Sequence, residues 1–168
     1  MKKECKICLN AMVGNEERVI LRMLESSYKY IDYWVIQCNG SDKTQSIIEK
    51  FYKEKQIPGF TYQHKWDYPG VNRDHTLQTA LKSDHGCDWI LRMDADEQLE
   101  VEDDFDWTPL NQKTAQSFNM TAMGAGSIYF RTWLWNANLS WKFEHDRRHE
   151  CIYIDGVGDN FERVQLSK

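Results

Sequence analysis

Asp88-Trp89-Ile90-Leu91-Arg92-Met93-Asp94-Ala95-Asp96-Glu97 is an apolar run that ends in three acidic side chains with one alanine among them. It predicts a strand over about 88 to 94 that delivers carboxylates to a site. Side chains of an extended chain alternate faces, so Asp94 and Asp96 are expected to leave the strand end on the same side. Like charges so close call for a cation. An oxygen-only ligand set suits Mg2+ or Mn2+, which complete their shells with water and substrate phosphate. The competing reading is an ordinary solvated turn or the cap of a following helix. An EF-hand loop counted from Asp94 is excluded, because Leu99 replaces its glycine and Phe105 its glutamate.

Working back from this stretch, hydrophobic pattern and punctuation predict an alternating series. Strands fall at about 6 to 13, 33 to 38 and 60 to 66, with helices at about 16 to 30, 43 to 55 and 73 to 84 between and after them. Alternation of this kind predicts a parallel sheet with helices on both faces and ligands outside the carboxyl ends of the strands. In the first helix Val19, Ile20, Met23, Leu24 and Tyr28 share a packing face, and Glu16 and Glu17 are expected in its first turn, where the dipole favours them. Polar punctuation follows each strand: Asn15-Glu16, then Asn39 to Thr44, then Asp67 to Asp74. With the acidic cluster, four loops are expected to converge on one edge. After Asp106 a polar stretch from Thr108 to Ser117 leads into a Gly/aromatic-rich segment, predicted to add antiparallel strands. There Arg131, Trp133 and Trp135 would share a face, either as a sugar-stacking platform or as core.

A chain of 168 residues with 41% hydrophobic and 13% aromatic content can bury a real core, and residues 1–168 are read as a single domain. A net charge of -5 without a Lys/Arg block argues against gripping a nucleic-acid backbone, and small molecules or glycans are the expected partners. No run approaches the roughly 18 apolar residues of a membrane span, and Met1-Lys2-Lys3-Glu4 does not open a signal peptide. A cytoplasmic location is expected. The cysteines, Cys5, Cys8, Cys38, Cys87 and Cys151, are odd in number and sit in strand-like segments, which suits reduced, buried thiols. Cys5-Lys6-Ile7-Cys8 has knuckle spacing but no second CxxC to pair with.

Taken in order, the loop motifs resemble glycosyltransferase family 2, the inverting nucleotide-sugar transferases. Asn15-Glu16-Glu17 looks like that family's strand-one ending, and Asn39-Gly40-Ser41-Asp42-Lys43-Thr44 like its Asp-Gly-Ser-Thr-Asp-Gly-Thr loop. Arg73-Asp74-His75-Thr76-Leu77 looks like its Arg-Asn start of helix three, and Asp94-Ala95-Asp96-Glu97 supplies a DXD motif. The match covers most of the first 110 residues. There are departures. The strand-two loop is one residue shorter, Cys38-Asn39 replaces an acidic pair, and Asp74 stands where asparagine is expected. Later, Trp141 followed by His149-Glu150 resembles the family's tryptophan and His-Glu pair.

The resemblance implies an α/β fold of GT-A type, a Rossmann-like α/β/α sandwich whose mostly parallel central sheet gains antiparallel strands in the C-terminal part. It implies a nucleotide-sugar part over 1–106 and an acceptor-side part over 107–168, with a second subunit or a further domain completing the acceptor surface. It implies Mn2+ or Mg2+ held by Asp94, Asp96 and His149, and a nucleotide-diphosphate sugar contacted by Asn15, Asn39, Asp42, Arg73 and Asp94. Asp96 would bind the metal directly, while Asp94 holds the ribose or a metal-bound water. Glu150 or Glu97 would act as base, with Asp146 and Asp155 as rivals. The alternative is a sugar- or nucleotide-binding module without turnover. A nucleotidyltransferase would need a Gly-rich basic loop after the first strand, and Ala11-Met12-Val13-Gly14-Asn15 is poor in both.

Overall fold

The computed structural model describes residues 2–124, 126–143, 152–155 and 163–165, the last group and residue 124 by backbone alone. Its central strand, β1 (Ile7–Val13), is apolar and buried at almost every position because both faces of the sheet are covered. Parallel to it run β2 (Tyr33–Cys38), β3 (Gly59–Tyr62) and β4 (Trp89–Arg92). Antiparallel to β4 lies β6 (Ser127–Asn136), followed outward by β5 (Ser117–Gly124) and β9 (Arg163–Gln165). The seven-stranded order is β3-β2-β1-β4-β6-β5-β9, and β7 (Trp141–Phe143) pairs separately with β8 (Ile152–Ile154). This is the Rossmann-like α/β/α sandwich of GT-A type that the resemblance implied.

The strand order dictates where the helices go. From β1 the chain steps outward to β2 and β3, then returns to place β4 on the other side of β1, so right-handed crossovers put the earlier helices on one face and the later one opposite. Accordingly α1 (Ile20–Ser27) and α2 (Thr44–Lys55) bury Ile20, Met23, Leu24, Ile48, Phe51 and Tyr52 with Leu9, Ala11, Ile36 and Leu91. On the opposite face α3 (Pro69–Lys82) buries Leu77 and Ala80 with Cys8, Val35, Ile90, Trp135, Trp141 and Phe143. A short α4 (Thr108–Gln112) adds Leu110 to the first core. Trp89, Trp135 and Trp141 are fully buried, each contributing roughly 4–6 kcal/mol of gross transfer free energy at ordinary aromatic areas.

Several boundaries differ from the sequence reading, each for a local reason. Helix α1 begins at Ile20 rather than near 16, since Glu16 to Val19 form a turn, with Val19 and Ile20 amides both donating to the Glu16 carbonyl. Glu16 and Glu17 are therefore not in the first helical turn. Strand β3 stops at Tyr62, and the chain then veers so that the His64 amide donates to Asn39 Oδ1. Helix α3 begins four residues early because Pro69, with its fixed φ and missing N–H, suits the first helical turn. Strand β4 ends at Arg92, so Asp94 and Asp96 sit in a turn and the alternation expected of them does not apply.

Register also sets what projects beyond the sheet. Leu91 pairs with Leu134 one residue before β4 ends, so the first half of β6 runs on past the carboxyl end of β4. It continues as a hairpin with β5, whose Met123, Ile128 and Phe130 are exposed.

Candidate functional site

The strand order reverses between β1 and β4, and in open α/β sheets ligands bind in the crevice that this reversal opens at the carboxyl ends. The loop after β1 and the turn after β4 flank that crevice, held in register by the Met93 amide donating to the Asn10 carbonyl at 3.2 Å. Asn15, Asp42, Asn39, Asp94, Asp96 and Glu97 all lie in loops at this edge, and Arg73 reaches it from α3.

The first two loops are stitched together by the residues singled out in them. Asn15 Oδ1 accepts from the amides of Ser41 at 2.8 Å and Asp42 at 3.2 Å. Asp42 Oδ2 accepts from the Glu17 amide and its Oδ1 from the Thr44 amide, while Thr44 Oγ1 accepts from the Glu16 amide. The Thr44 hydroxyl and these amides hold the Asp42 carboxyl below the usual range. Such close approach requires glycine at 40: a Cβ there would lie 2.4 Å from the Gly14 carbonyl oxygen and 2.7 Å from Asn15 Oδ1.

The acidic turn is built differently. Glu97 N–H donates to the Asp94 carbonyl at 3.1 Å, and Asp94 N–H donates to Glu97 Oε2 at 2.8 Å, closing a tight loop. The Asp94 carboxylate, 28% exposed, takes Arg73 Nη1 at 3.1 Å and Arg92 Nη2 at 3.0 and 3.1 Å. Burial would raise its pKa, but the Arg92 and Arg73 guanidiniums outweigh burial and hold it below the usual carboxylate range. Glu97 goes the other way: burial raises it and the Asp94 charge adds to the rise, against the hydrogen bond donated by the Asp94 N–H and the charges of Arg92 and Arg131. Asp96 is exposed. Among the described residues no three His, Cys, Asp or Glu side chains gather as a metal cluster. The open Asp96 carboxylate still fits Mn2+ or Mg2+, which need only one or two protein carboxylates when substrate phosphate and water fill the rest of the shell.

A buried polar network positions Arg73. Gln37 Oε1 accepts from the Thr76 hydroxyl at 2.8 Å and the Tyr62 hydroxyl at 3.3 Å, while its Nε2 donates to Asn72 Oδ1 at 3.2 Å. Asn10 Nδ2 donates to the carbonyls of Val35 and Thr76. Satisfied buried networks specify one arrangement, and this one pins the helix positions on either side of Arg73. Asp74, the departure from the family's asparagine, accepts the Phe143 amide at 2.9 Å and ties α3 to β7.

Beside β2 and β3 an open cleft of about 390 Å3 is lined by Asn39, Gly40, Gln63, His64, Lys65 and Trp66. Trp66 is 55% exposed there, and the His64 ring meets His75 edge-on at 3.5 Å. The His64 amide fixes the Asn39 side chain by donating to Oδ1, and Asn39 Nδ2 has no partner among the described residues. The four described cysteines are free and buried, and burial pushes the Cys38 and Cys87 thiols up to about 12, so they serve packing.

The structure thus brings Asp94, Glu97 and Arg73 into one cluster and Asn15 with Asp42 into another on the same edge. His149, Glu150, Asp146 and Cys151 lie outside the described residues. Asp155 is described, and its carboxylate pairs with Lys142 at 2.6 Å. Sequence reasoning missed Arg92, although a lone cation at the end of an apolar run, two residues before Asp94, was a signal for it. His64 and Trp66 escape it as well, because the apolar pattern extends the third strand over them while β3 ends at Tyr62. Of the aromatic platform, Trp135 is core at 1% exposure and Trp133 is nearly so, while Arg131 stays exposed.

No protein-family model and no curated protein sequence matches the chain. Among solved structures it is similar in fold to the mannosyltransferase PcManGT from Pyrobaculum calidifontis in complex with GDP-Man and Mn2+, with a TM-score of 0.55 and 16% identity. That likeness covers 73% of this chain, which spans 37% of the mannosyltransferase's length. A weaker likeness, at a TM-score of 0.46 and 12% identity over 83% of this chain and 78% of the other, is to a 4-diphosphocytidyl-2C-methyl-D-erythritol synthase. No helix of the described residues is long and apolar enough to cross a membrane.

Proposed function

We propose that the chain transfers a sugar, with inversion, from a nucleotide-diphosphate donor to the hydroxyl of a glycan or glycoconjugate acceptor, using Mn2+ or Mg2+. One observation carries this reading: at the β1/β4 reversal an anchored carboxylate, Asp94, lies beside two guanidiniums and an open carboxylate, Asp96. A polyanionic ligand that brings a cation is what such a mixed set recognises.

Asp96, with His149 as the second candidate, would hold the metal, which when bound offsets the charge that builds on the departing diphosphate. Asp94, oriented by Arg73 and Arg92, accepts from the donor ribose. Arg73 pairs with diphosphate oxygens through its planar fork. Asn39 reads the base from the wall of the cleft, and Asn15 and Asp42 hold the two loops that frame the nucleotide. In the transfer step the acceptor oxygen bonds to the anomeric carbon as the bond to the diphosphate breaks, and the diphosphate leaves with the electron pair. A carboxylate takes the acceptor proton. Glu150 and Glu97 are the candidates, and the raised pKa of the half-buried Glu97 suits a base.

Thermal-shift titration with UDP, GDP, dTDP and CDP, each with and without Mn2+, tests the reading. A ligand that binds only the folded state raises its melting temperature by mass action. The expected result is a metal-dependent rise with one nucleotide that Asp96→Asn abolishes, followed by transfer from a sugar of that nucleotide. No rise with any nucleotide overturns it. Binding without turnover leaves a non-catalytic module.

A further inference from the structure

The overhang of β6 past β4 carries a second feature, on the continuation of the sheet face that packs on α1 and α2 and that Phe118 and Met120 of β5 share. Tyr129 and Arg131 lie opposite Ala122 and Met120 of β5 and so share that face, while Trp133 falls at the register shift between the Leu134–Phe118 and Thr132–Asn119 pairs. The Arg131 guanidinium carbon lies 4.9 Å from the Tyr129 ring centre and 5.5 Å from that of Trp133. Stacking on both neighbours restrains the guanidinium while leaving its in-plane N–H groups available, the arrangement that makes arginine a bidentate reader of carboxylate and phosphate. Arg131 is exposed and forms no ion pair among the described residues. Ala122, opposite Tyr129 across the hairpin, is small, and Tyr129 is 38% exposed. The ladder is on the strand beyond β4, one step further from the reversal than Asp94, and Arg131 is near enough for its charge to act on Glu97.

We propose that the Tyr129–Arg131–Trp133 ladder is the acceptor subsite of the transferase reading, on which that word rests, and that it binds a small sugar bearing a phosphate or carboxylate through Arg131. The Tyr129 ring takes the sugar face and the guanidinium takes the anion. The sugar hydroxyl is then directed toward the acidic turn, between the proposed base and the donor. A neutral acceptor would gain nothing from a fixed cation here.

Calorimetric titration of the full chain without nucleotide reads this directly, using glucose 6-phosphate, glucuronate, glucose and inorganic phosphate. Both charged sugars are expected to bind at least about tenfold more tightly than glucose, and glucose 6-phosphate more tightly than phosphate alone. Arg131→Gln, with its melting temperature checked, should lose that tenfold. If it fails to fold, Arg131→Lys keeps the charge without the planar fork and should lose severalfold. Equal binding of glucose and the charged sugars, no binding of any, no loss on substitution, or phosphate binding as tightly as its sugar ester overturns the proposal. Because no nucleotide is present, these outcomes stand apart from the donor titration: the subsite can hold while no nucleotide binds, and the reverse.

Discussion

Arg92 Nη2 lies 3.0 Å from Asp94 Oδ1 and 3.1 Å from Oδ2, so the last residue of β4 holds the first acidic residue beyond it. Arg73 completes the grip from α3, and the carboxylate at the head of the acidic turn is oriented before any ligand arrives. Preorganisation of this kind removes ordering from the cost of binding.

The Arg92–Asp94 pair should show measurable coupling. In a double-mutant cycle with Arg92→Leu and Asp94→Asn, urea unfolding is expected to give a coupling of about 1–3 kcal/mol, as charged hydrogen bonds in part-buried sites do. Additive single effects would mean that the pair is solvated and does not orient the turn.

Glu97→Gln keeps an acceptor for the Asp94 amide but cannot take a proton. If Glu97 is the base, turnover falls by about 100-fold or more while nucleotide affinity changes little. Glu150→Gln measured beside it decides between the two, since only loss of the base lowers turnover while binding persists.

Gly40→Ala would press a methyl group into the Gly14 carbonyl and Asn15 Oδ1. A loss of about 1–3 kcal/mol is expected, as for overpacked sites, together with weaker nucleotide binding because the loops after β1 and β2 are forced apart. A variant with wild-type melting temperature would show that the two loops tolerate separation.

Stability should fall as pH drops from 7 toward 5. Burial first, then the charge of His64, lowers the His75 pKa, and burial likewise lowers that of His85. A depressed pKa means that below the ordinary histidine value of about 6.5 the unfolded chain takes the proton more readily, so stability present above that value is lost on acidification. His75→Gln should make the slope of melting temperature against pH shallower over this window, with His85 supplying the remainder. An unchanged slope would remove His75 from the account.

The sequence by itself determined the alternating elements, because buried parallel strands must be apolar runs and their helices must carry one apolar stripe; β2 and α2 fall within a residue of their expected bounds. It determined the four loops too, since chain direction in a parallel sheet puts every βα connection on one edge. Only the tertiary structure decided what those residues do there. Asn15 and Asp42 spend their oxygens on backbone amides of a neighbouring loop, an outcome of how closely the loops after β1 and β2 approach. Asp94 and Asp96 differ in burial and partners because β4 ends two residues before the first of them, and Arg73 meets Asp94 across 21 positions of chain. The placement of Arg131 depends likewise on register between β4 and β6, a pairing of residues more than forty positions apart that local pattern does not encode.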